Sequence, residues 1–278
     1  MTPAEIEITE AEIAAALAPW TIREHPAGAL AWRAIRARKS LNFRLKRMTR
    51  GVASSVLPAI RPTEEHRDPE FVNDHYSRSW TKYNWPDTGE TPRKGNTVFL
   101  EWKGTGYETL RHGRGRVHLL GIAKAIDWLK PATVLEIGAG PGNNLLALSA
   151  CFPEIAFTGA ELTEAGVRAA RSVQDDPLPE GFADFVPKPM LSRTAHQRIS
   201  FQQSDVQNLP FPDRAFDLVY TRLAIEQMEQ IRDRALAEIH RVTKSHAVVV
   251  EPFPDFNREP LMALATRQVT FLIRDPRL

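Results

Sequence analysis

The chain has 278 residues, of which 42% are hydrophobic and 25% are charged, and its formal net charge is +2. This composition is ordinary for a globular protein that buries a full core, and the near-zero charge excludes a protein that coats nucleic acid over its whole surface. The single cysteine, Cys151, excludes an internal disulfide framework and indicates a reducing compartment. Residues 1–12 lack the basic head and apolar run of a secretory signal, and no apolar run is long enough to span a bilayer. We therefore expect a cytoplasmic protein.

The N-terminal part reads as an extension of helical and irregular structure. Residues 2–18 are rich in alanine and end at Pro19, which predicts a short helix. Residues 29–52 predict a second helix, with many arginines and lysines, no acid, and leucines at helical spacing. This helix either exposes its basic face to solvent or contacts an anionic surface, such as membrane lipid or nucleic acid.

Residues 58–110 predict a long irregular stretch, because prolines recur through it. Its aromatic residues are Phe71, Tyr76, Trp80, Tyr83, Trp85, Phe99, Trp102 and Tyr107. Such a stretch either covers a binding site as a lid and forms a substrate pocket, or packs the extension onto the core as an aromatic cluster. We place the boundary of the extension at residue 114, so that residues 115–278 form the main domain.

Helices and strands alternate through the second domain. The predicted strands begin at Thr133 and then cover 155–161, 199–203, 216–220 and 246–251, and the predicted helices cover 117–129, 143–150, 163–174 and 224–243. This alternation predicts an α/β fold with a doubly wound, mostly parallel Rossmann-like sheet that has helices on both faces. Residues 175–198 contain four prolines and predict an inserted loop outside the core.

The first strand of this domain leads into a turn with three glycines. Gly138, Gly140 and Gly142 alternate with other residues between the strand that begins at Thr133 and the helix that begins at Asn143. Glycine permits backbone conformations that other residues avoid, and it lets a ligand approach the backbone closely. Strand, glycine turn and helix together are typical of the nucleotide-binding corner of a doubly wound domain.

Acidic residues follow the first three strands. Glu136 precedes the glycine turn, Glu161 ends the second strand, and Asp205 follows the third. A carboxylate at the second strand suits paired ribose hydroxyls, and one at the third suits an exocyclic amine. Glu136 would repel a pyrophosphate and suits a cation. The implied ligand is therefore a nucleoside that carries a positive charge, and a dinucleotide is disfavoured.

The residues that follow resemble a known family. Glu136-Ile-Gly-Ala-Gly-Pro-Gly is similar to motif I of the class I S-adenosylmethionine-dependent methyltransferases. The run from Asp205 through Leu-Pro-Phe-Pro-Asp to Phe-Asp-Leu-Val resembles the type 11 branch, which acts on small molecules, and so does His240-Arg-Val-Thr-Lys. The likeness covers about residues 115–256, and four motifs in the expected order make it specific.

The resemblance implies that S-adenosylmethionine is the cofactor. The glycines would approach its methionine part, Glu136 would help to hold its amino group, Glu161 would bind the ribose, and Asp205 with the Val206 backbone would meet the adenine. The predicted cofactor site in full is Glu136, Gly138, Gly140, Gly142, Asn143, Glu161, Leu162, Asp205, Val206 and Thr221. We predict no metal site, because His196, His240 and His246 show no metal-ligand spacing with Cys151.

The sequence departs from the family in three places. Gln227 stands where many small-molecule members carry a histidine, and glutamine is no base. The loop of residues 175–198 is longer than usual. Few residues follow the fifth strand, so either the sheet is short or residues 267–273 supply part of its completion.

We expect methyl transfer to a small or lipid-like acceptor, with contact to an anionic membrane surface through residues 29–52 as an open possibility. The alternatives are an RNA or protein methyltransferase, which the net charge disfavours, and a cofactor-binding module without catalysis. An NAD-dependent dehydrogenase is the least favoured. A base is needed only if the acceptor must lose a proton, and the weak candidates are His75, His112, His118, Tyr107 and Glu226.

Overall fold

A computed structural model describes residues 7–32, 34, 35, 38, 69–81, 97–228 and 230–251. Its strands are β1 (Thr21–His25), β2 (Thr97–Trp102), β3 (Thr105–Leu110), β4 (Thr133–Ile137), β5 (Ala156–Glu161), β6 (Ser200–Gln203), β7 (Phe216–Arg222) and β8 (Thr243–Val250). Its helices are α1 (Glu10–Leu17), α2 (Pro69–Thr81), α3 (Arg111–Leu129), α4 (Asn143–Cys151), α5 (Glu164–Arg171) and α6 (Arg232–Val242).

The five-stranded sheet has the order β6-β5-β4-β7-β8, and all its strand pairs are parallel. β4 lies at the centre, so its residues from Val134 to Ile137 are buried on both faces, which explains why the strand is apolar apart from Thr133 and Glu136. Val134 belongs to the core beneath α3, α4 and α5, while Leu135 belongs to the core beneath α6. The doubly wound α/β fold is confirmed, and the chain order reverses beside β4, where such sheets bind ligands.

The extension contains regular structure that we did not predict. β1, β3 and β2 form an antiparallel sheet, and α2 covers residues 69–81. The prediction of an irregular stretch over residues 58–110 is therefore wrong for α2, β2 and β3. The turn from β2 to β3 consists of Lys103 and Gly104, whose φ values of 45° and 90° are those of a two-residue hairpin turn. This turn sets Trp102 opposite Thr105 and allows Tyr107 to reach the core beneath α1.

Residues 175–198 contribute buried side chains to the core, which corrects the prediction of a loop outside it. Leu178, Phe182 and Val186 are almost fully buried against the cluster beneath α4. Two short 3-10 helices, Glu180–Asp184 and Ala195–Arg198, give the segment its shape. Prolines exclude long helices and ladder strands here, but they do not prevent the apolar side chains between them from packing.

The helix predicted over residues 224–243 is shorter, because α6 begins at Arg232. Residues Ile225–Gln227 form a 3-10 helix instead. The Glu251 carboxylate accepts hydrogen bonds from the backbone N–H groups of Ala224, Ile225 and Glu226 at 2.9, 3.1 and 3.4 Å. These bonds hold the chain in a turn at the end of β7, which places Gln227, Met228, Gln230 and Ile231 beside the carboxyl ends of the strands.

Several predictions concern residues outside the described ranges. They include most of the basic segment 29–52, Tyr83 and Trp85, and residues 267–273. The boundary predicted after residue 114 falls within α3, which runs without a break from Arg111 to Leu129. In the part of the chain that the structure describes, none of the helices combines the length and apolar character needed to cross a bilayer.

Candidate functional site

A cavity of about 280 Å³ opens at the carboxyl ends of β4, β5, β6 and β7. The glycine turn after β4 forms one wall, and α2 and the described residues between Leu223 and Ile231 contribute the others. Its lining residues are Val72, Tyr76, Trp80, Ile137, Gly138, Ala139, Gly140, Pro141, Asn143, Asn144, Ala160, Glu161, Leu162, Thr163, Ser204, Asp205, Val206, Leu209, Arg222, Leu223, Ala224, Gln227, Met228, Gln230 and Ile231. Polar groups therefore cluster at the strand ends, and apolar side chains face them.

The glycine turn adopts a backbone that other residues avoid. Gly138, Gly140 and Gly142 have φ values of 74°, 53° and 81°. A Cβ atom on Gly140 would lie 3.0 Å from the Trp80 ring, and one on Gly142 would lie 2.6 Å from the Phe201 ring. The turn thus exposes bare backbone to the cavity at Gly138 and Gly140, while Gly142 permits close packing beneath it.

Glu161 fastens the glycine turn from the end of β5. Its Oε2 accepts a hydrogen bond from the Gly140 N–H at 2.9 Å, and its Oε1 accepts from the Thr163 N–H at 3.0 Å and the Thr163 hydroxyl at 2.7 Å. The side chain is buried yet lines the cavity. A carboxylate offers about four acceptor positions, so Oε2 keeps room for a hydroxyl of a bound ligand.

Asp205 lies at the exposed edge of the cavity after β6. Its Oδ1 accepts from the Gln207 N–H at 2.8 Å and caps the short 3-10 helix Val206–Asn208. Its Oδ2 accepts from the Gln207 amide at 3.2 Å, and a carboxylate oxygen with one such bond has the capacity to accept a second. Val206 and Leu209 bring apolar side chains beside it.

A buried polar chain runs behind the glycine turn. Arg222 donates to His118 Nδ1 and to Asn144 Oδ1, both at 3.2 Å, and Asn144 donates to Glu136 Oε1 at 2.5 Å. Tyr220 lies beside Glu136, although its hydroxyl makes no hydrogen bond of standard geometry there. Within the described residues, Arg222 makes no ion pair. Its guanidinium lines the cavity, and its hydrogen-bond partners His118 and Asn144 are neutral side chains.

Burial shifts the pKa values of two residues in this hydrogen-bonded series, Glu136 and His118. It raises the pKa of Glu136 to about 8, against the opposing influence of Asn144, Tyr220 and Arg222. It lowers the pKa of His118 to about 3, and the neighbouring Arg222 acts in the same direction. At neutral pH, Glu136 is therefore mostly a neutral acid and His118 a neutral imidazole.

Because Glu136 is protonated in the folded protein, we expect the free energy of unfolding to fall as the pH rises from about 4.5 to about 8. The pKa of Glu136 is higher in the folded state than its ordinary 4.5, so the folded state binds the extra proton between about pH 4.5 and 8. Raising the pH removes that stabilisation by about 1 kcal/mol per pH unit. Urea unfolding at pH 5, 7 and 9 measures it, with Glu136→Gln as the control that cannot ionise. Parallel pH profiles of the two proteins would contradict the assignment.

The structure brings seven of the ten predicted cofactor-site residues to the cavity wall. These are Gly138, Gly140, Asn143, Glu161, Leu162, Asp205 and Val206. Glu136 lies behind the wall, fully buried, and Gly142 lies beneath the turn. Thr221 is not among the lining residues, and its hydroxyl donates to Glu251 at 3.2 Å.

None of the base candidates lies on the cavity wall. His112 packs between Trp20 and Phe185, and Tyr107 is buried in the cluster beneath α1. His118 accepts from Arg222, and Glu226 lies in the 3-10 helix after β7. His75 is exposed on α2. Among the described residues, no group of three histidine, cysteine or acidic side chains is placed to hold a metal ion.

Several cavity residues escaped the sequence analysis. Arg222 and Asn144 are separated by 78 positions, and only the fold brings them together.

Tyr76 and Trp80 belong to the aromatic residues predicted as a possible lid, and the structure places both on the cavity wall, with their rings stacked at a centroid distance of 5.6 Å. Pro69 begins α2, and a proline in the first turn of a helix is the signal that could have predicted it.

Residues 135–250 match the family model described as a methyltransferase domain, type 11. This segment is a class I S-adenosylmethionine-dependent methyltransferase domain. It begins within β4 and ends with β8, so the matched residues contain the glycine turn, Glu161 and Asp205. The strand ends of the parallel sheet that line the cavity lie within the matched residues, while α2 and the small antiparallel sheet lie outside them.

The curated relatives are similar to only part of this chain. A malonyl-[acyl-carrier protein] O-methyltransferase from Laribacter hongkongensis is 32% identical over 44% of this chain and 38% of its own length. A demethylmenaquinone methyltransferase from Porphyromonas gingivalis is 25% identical over 51% of this chain and 53% of its own length. The chain thus spans about half or less of these relatives.

Among solved structures, the YcgJ protein from Bacillus subtilis is 27% identical, with a TM-score of 0.37, over 49% of this chain and 51% of its own. The similarity again covers about half of each chain.

Proposed function

We propose that this chain transfers a methyl group from S-adenosylmethionine to a small or lipid-like acceptor. One observation carries the proposal: the carboxylates of Glu161 and Asp205 face a single cavity beside backbone that is bare at Gly138 and Gly140. A nucleoside with a charged sulfur needs hydroxyl and amine acceptors at one end and an approachable backbone at the other. The dinucleotide alternative is disfavoured, because the Glu161 carboxylate already accepts from the Gly140 N–H of the turn and would repel a pyrophosphate there.

The geometry supports one orientation of the cofactor. Its ribose would lie at Glu161, its adenine beside Asp205 and Val206, and its methionine part along the glycine turn toward Asn144 and Arg222. Arg222 is the cation that faces this end of the cavity, so it suits the carboxylate of the methionine. Glu136 would then act through Asn144, since its own side chain is fully buried.

The acceptor would meet an apolar wall. Tyr76 and Trp80 from α2 face the cavity together with Leu223, Met228 and Ile231 from the segment after β7. Apolar and aromatic side chains with a few polar groups are typical of pockets for small molecules. The curated relatives named above include enzymes for an acyl-carrier-linked malonyl group and for demethylmenaquinone, which makes both chemical classes sensible acceptors to test.

The catalytic contribution of the protein is alignment rather than proton transfer. The methyl group leaves a positively charged sulfur, which is already an activated leaving group, so the site must hold the nucleophile in line and exclude water. Since the base candidates lie away from the cavity wall, the favoured acceptor is one that reacts without losing a proton to the protein, such as a carboxylate. α2 would shield the reaction from solvent.

A transfer assay tests this function. The protein is incubated with methyl-labelled S-adenosylmethionine and with either acyl thioesters that carry a free carboxylate or hydroquinones. The label transferred to the acceptor is then counted in the organic extract. We expect labelled product that is lost in Tyr76→Ala, by at least about tenfold, and retained in Trp128→Ala, an exposed tryptophan away from the cavity. Cofactor binding without transfer to any acceptor class would support a non-catalytic module instead. Salt-dependent binding and labelling of RNA would favour the nucleic-acid alternative.

A further inference from the structure

Residues 205–213, which we call the adenine-side segment, are held by their own hydrogen bonds only in their first half, where Asp205 caps the 3-10 helix Val206–Asn208. The segment joins β6 to β7, and its Asp205, Val206 and Leu209 line the cavity. Pro210 and Pro212 have no N–H groups, so the second half of the segment has few donors for a turn of its own. The carbonyls of the residues before these prolines need donors from elsewhere in the protein.

One face of α6 supplies those donors. Arg234, Glu238 and Arg241 are spaced by four and three positions, which places them along one side of a helix. Arg234 Nε donates to the Gln207 carbonyl at 2.9 Å, and Glu238 Oε2 accepts from the Leu209 N–H at 2.8 Å. The helix thus contacts the adenine-side segment at successive points.

Arg241 uses all five of its N–H groups in this contact. It donates to the carbonyls of Leu209 at 2.9 Å and Phe211 at 2.7 Å, and to Asp213 Oδ1 at 2.9 Å. Its other two bonds go to the two oxygens of Glu238, at 2.7 and 2.8 Å. A guanidinium has five donors in a fixed plane, and a lysine ammonium has three on a flexible stem, so lysine cannot replace this arrangement.

These bonds differ from an ordinary surface ion pair, which contributes little. The Arg241–Glu238 pair is bidentate, and each partner also binds the backbone of Leu209, one at its carbonyl and the other at its N–H. Leu209 is 3% exposed and lines the cavity, so its position is transmitted directly to the ligand site. Neither Arg241 nor Glu238 reaches the cavity wall.

We propose that Arg241 and Glu238 are positioning residues that hold Asp205, Val206 and Leu209 where they recognise the adenine of the cofactor. This inference rests on the proposed function. The two residues act through the adenine-side segment and never touch the ligand. Their loss is therefore expected to change how the site distinguishes purine bases, and not only how stably the domain folds.

Calorimetric titration of the full chain tests the proposal with two probes, S-adenosylhomocysteine and S-inosylhomocysteine, which lacks the adenine amine. We expect the wild-type protein to prefer the adenosine compound. Arg241→Lys should bind it about tenfold more weakly and lose most of that preference, because the acceptors for the amine are displaced. Glu238→Gln keeps one acceptor oxygen and should show a smaller change in the same direction. Arg168→Lys, in an exposed ion pair with Glu164 on α5, is the matched control.

The outcomes distinguish a failure of the positioning role of Arg241 and Glu238 from a failure of the proposed function. If the wild-type protein binds S-adenosylhomocysteine but both variants keep its affinity and its base preference, the positioning role is overturned and the proposed function stands. Weaker binding that follows the loss of folded protein, with the preference unchanged, also overturns the positioning role. A folded wild-type protein that binds neither compound overturns the proposed function and this inference together.

Discussion

Replacing Glu161 with glutamine is expected to weaken the binding of S-adenosylhomocysteine about 100-fold. The carboxylate oxygens accept from the Gly140 N–H on one side and from both Thr163 donors on the other. Glutamine has only one acceptor oxygen, so its NH₂ group must face an N–H donor in a buried place. The glycine turn then loses its fastening, and the ligand loses an acceptor for its ribose.

Titration calorimetry measures the affinity, and urea unfolding measures the accompanying loss of stability, which we expect to be about 2 kcal/mol. Glu164→Gln is the matched control, because Glu164 lies three residues farther along, is exposed, and forms an exposed ion pair with Arg168. Near wild-type affinity in a folded Glu161→Gln protein would show that Glu161 fastens the turn without binding the ligand.

Replacing Gly142 with alanine is expected to lower the free energy of unfolding by about 4 kcal/mol. Two effects add. The φ value of 81° is strained for any residue with a side chain, and the new Cβ would lie 2.6 Å from the Phe201 ring and 3.2 Å from Ala170 Cβ. Both neighbours are buried in the core, so neither can move aside cheaply.

Urea unfolding followed by circular dichroism measures this loss. Gly181→Ala serves as the control, because no atom lies within 4 Å of its Cβ position, and we expect a change within about 0.5 kcal/mol. A loss below about 1 kcal/mol in Gly142→Ala would contradict the rigid packing of α4 against β6 that the structure shows.

The sequence predicts the sheet and its strand-end acids because these depend on local pattern. The short run Thr133–Ile137, apolar apart from Thr133 and Glu136, predicts a strand buried on both faces, and the glycines that follow it at positive φ turn the chain into α4. The positions of Glu161 and Asp205 in the site could be predicted from the places where the second and third strands of this sheet end. The resemblance of these motifs to type 11 methyltransferases then agrees with the family match over residues 135–250.

The remaining features depend on contacts between distant parts of the chain. α2 is mostly polar in sequence, and its packing against α5 and the glycine turn explains its place better than its helical propensity does. The chain from Arg222 through Asn144 to Glu136 joins three elements, and no spacing in the sequence indicates it. The late start of α6 depends on Glu251, which lies beyond the next strand.

The central claim is that the cavity at the carboxyl ends of β4, β5 and β6 binds a sulfonium nucleoside through Glu161 and Asp205. Titration of the wild-type full chain with S-adenosylhomocysteine and, separately, with NAD⁺ tests this claim most directly. We predict one site for S-adenosylhomocysteine with a dissociation constant of about 10 μM, and no heat with NAD⁺. A folded protein that gives no heat with S-adenosylhomocysteine, or that binds NAD⁺ in its place, would contradict the account.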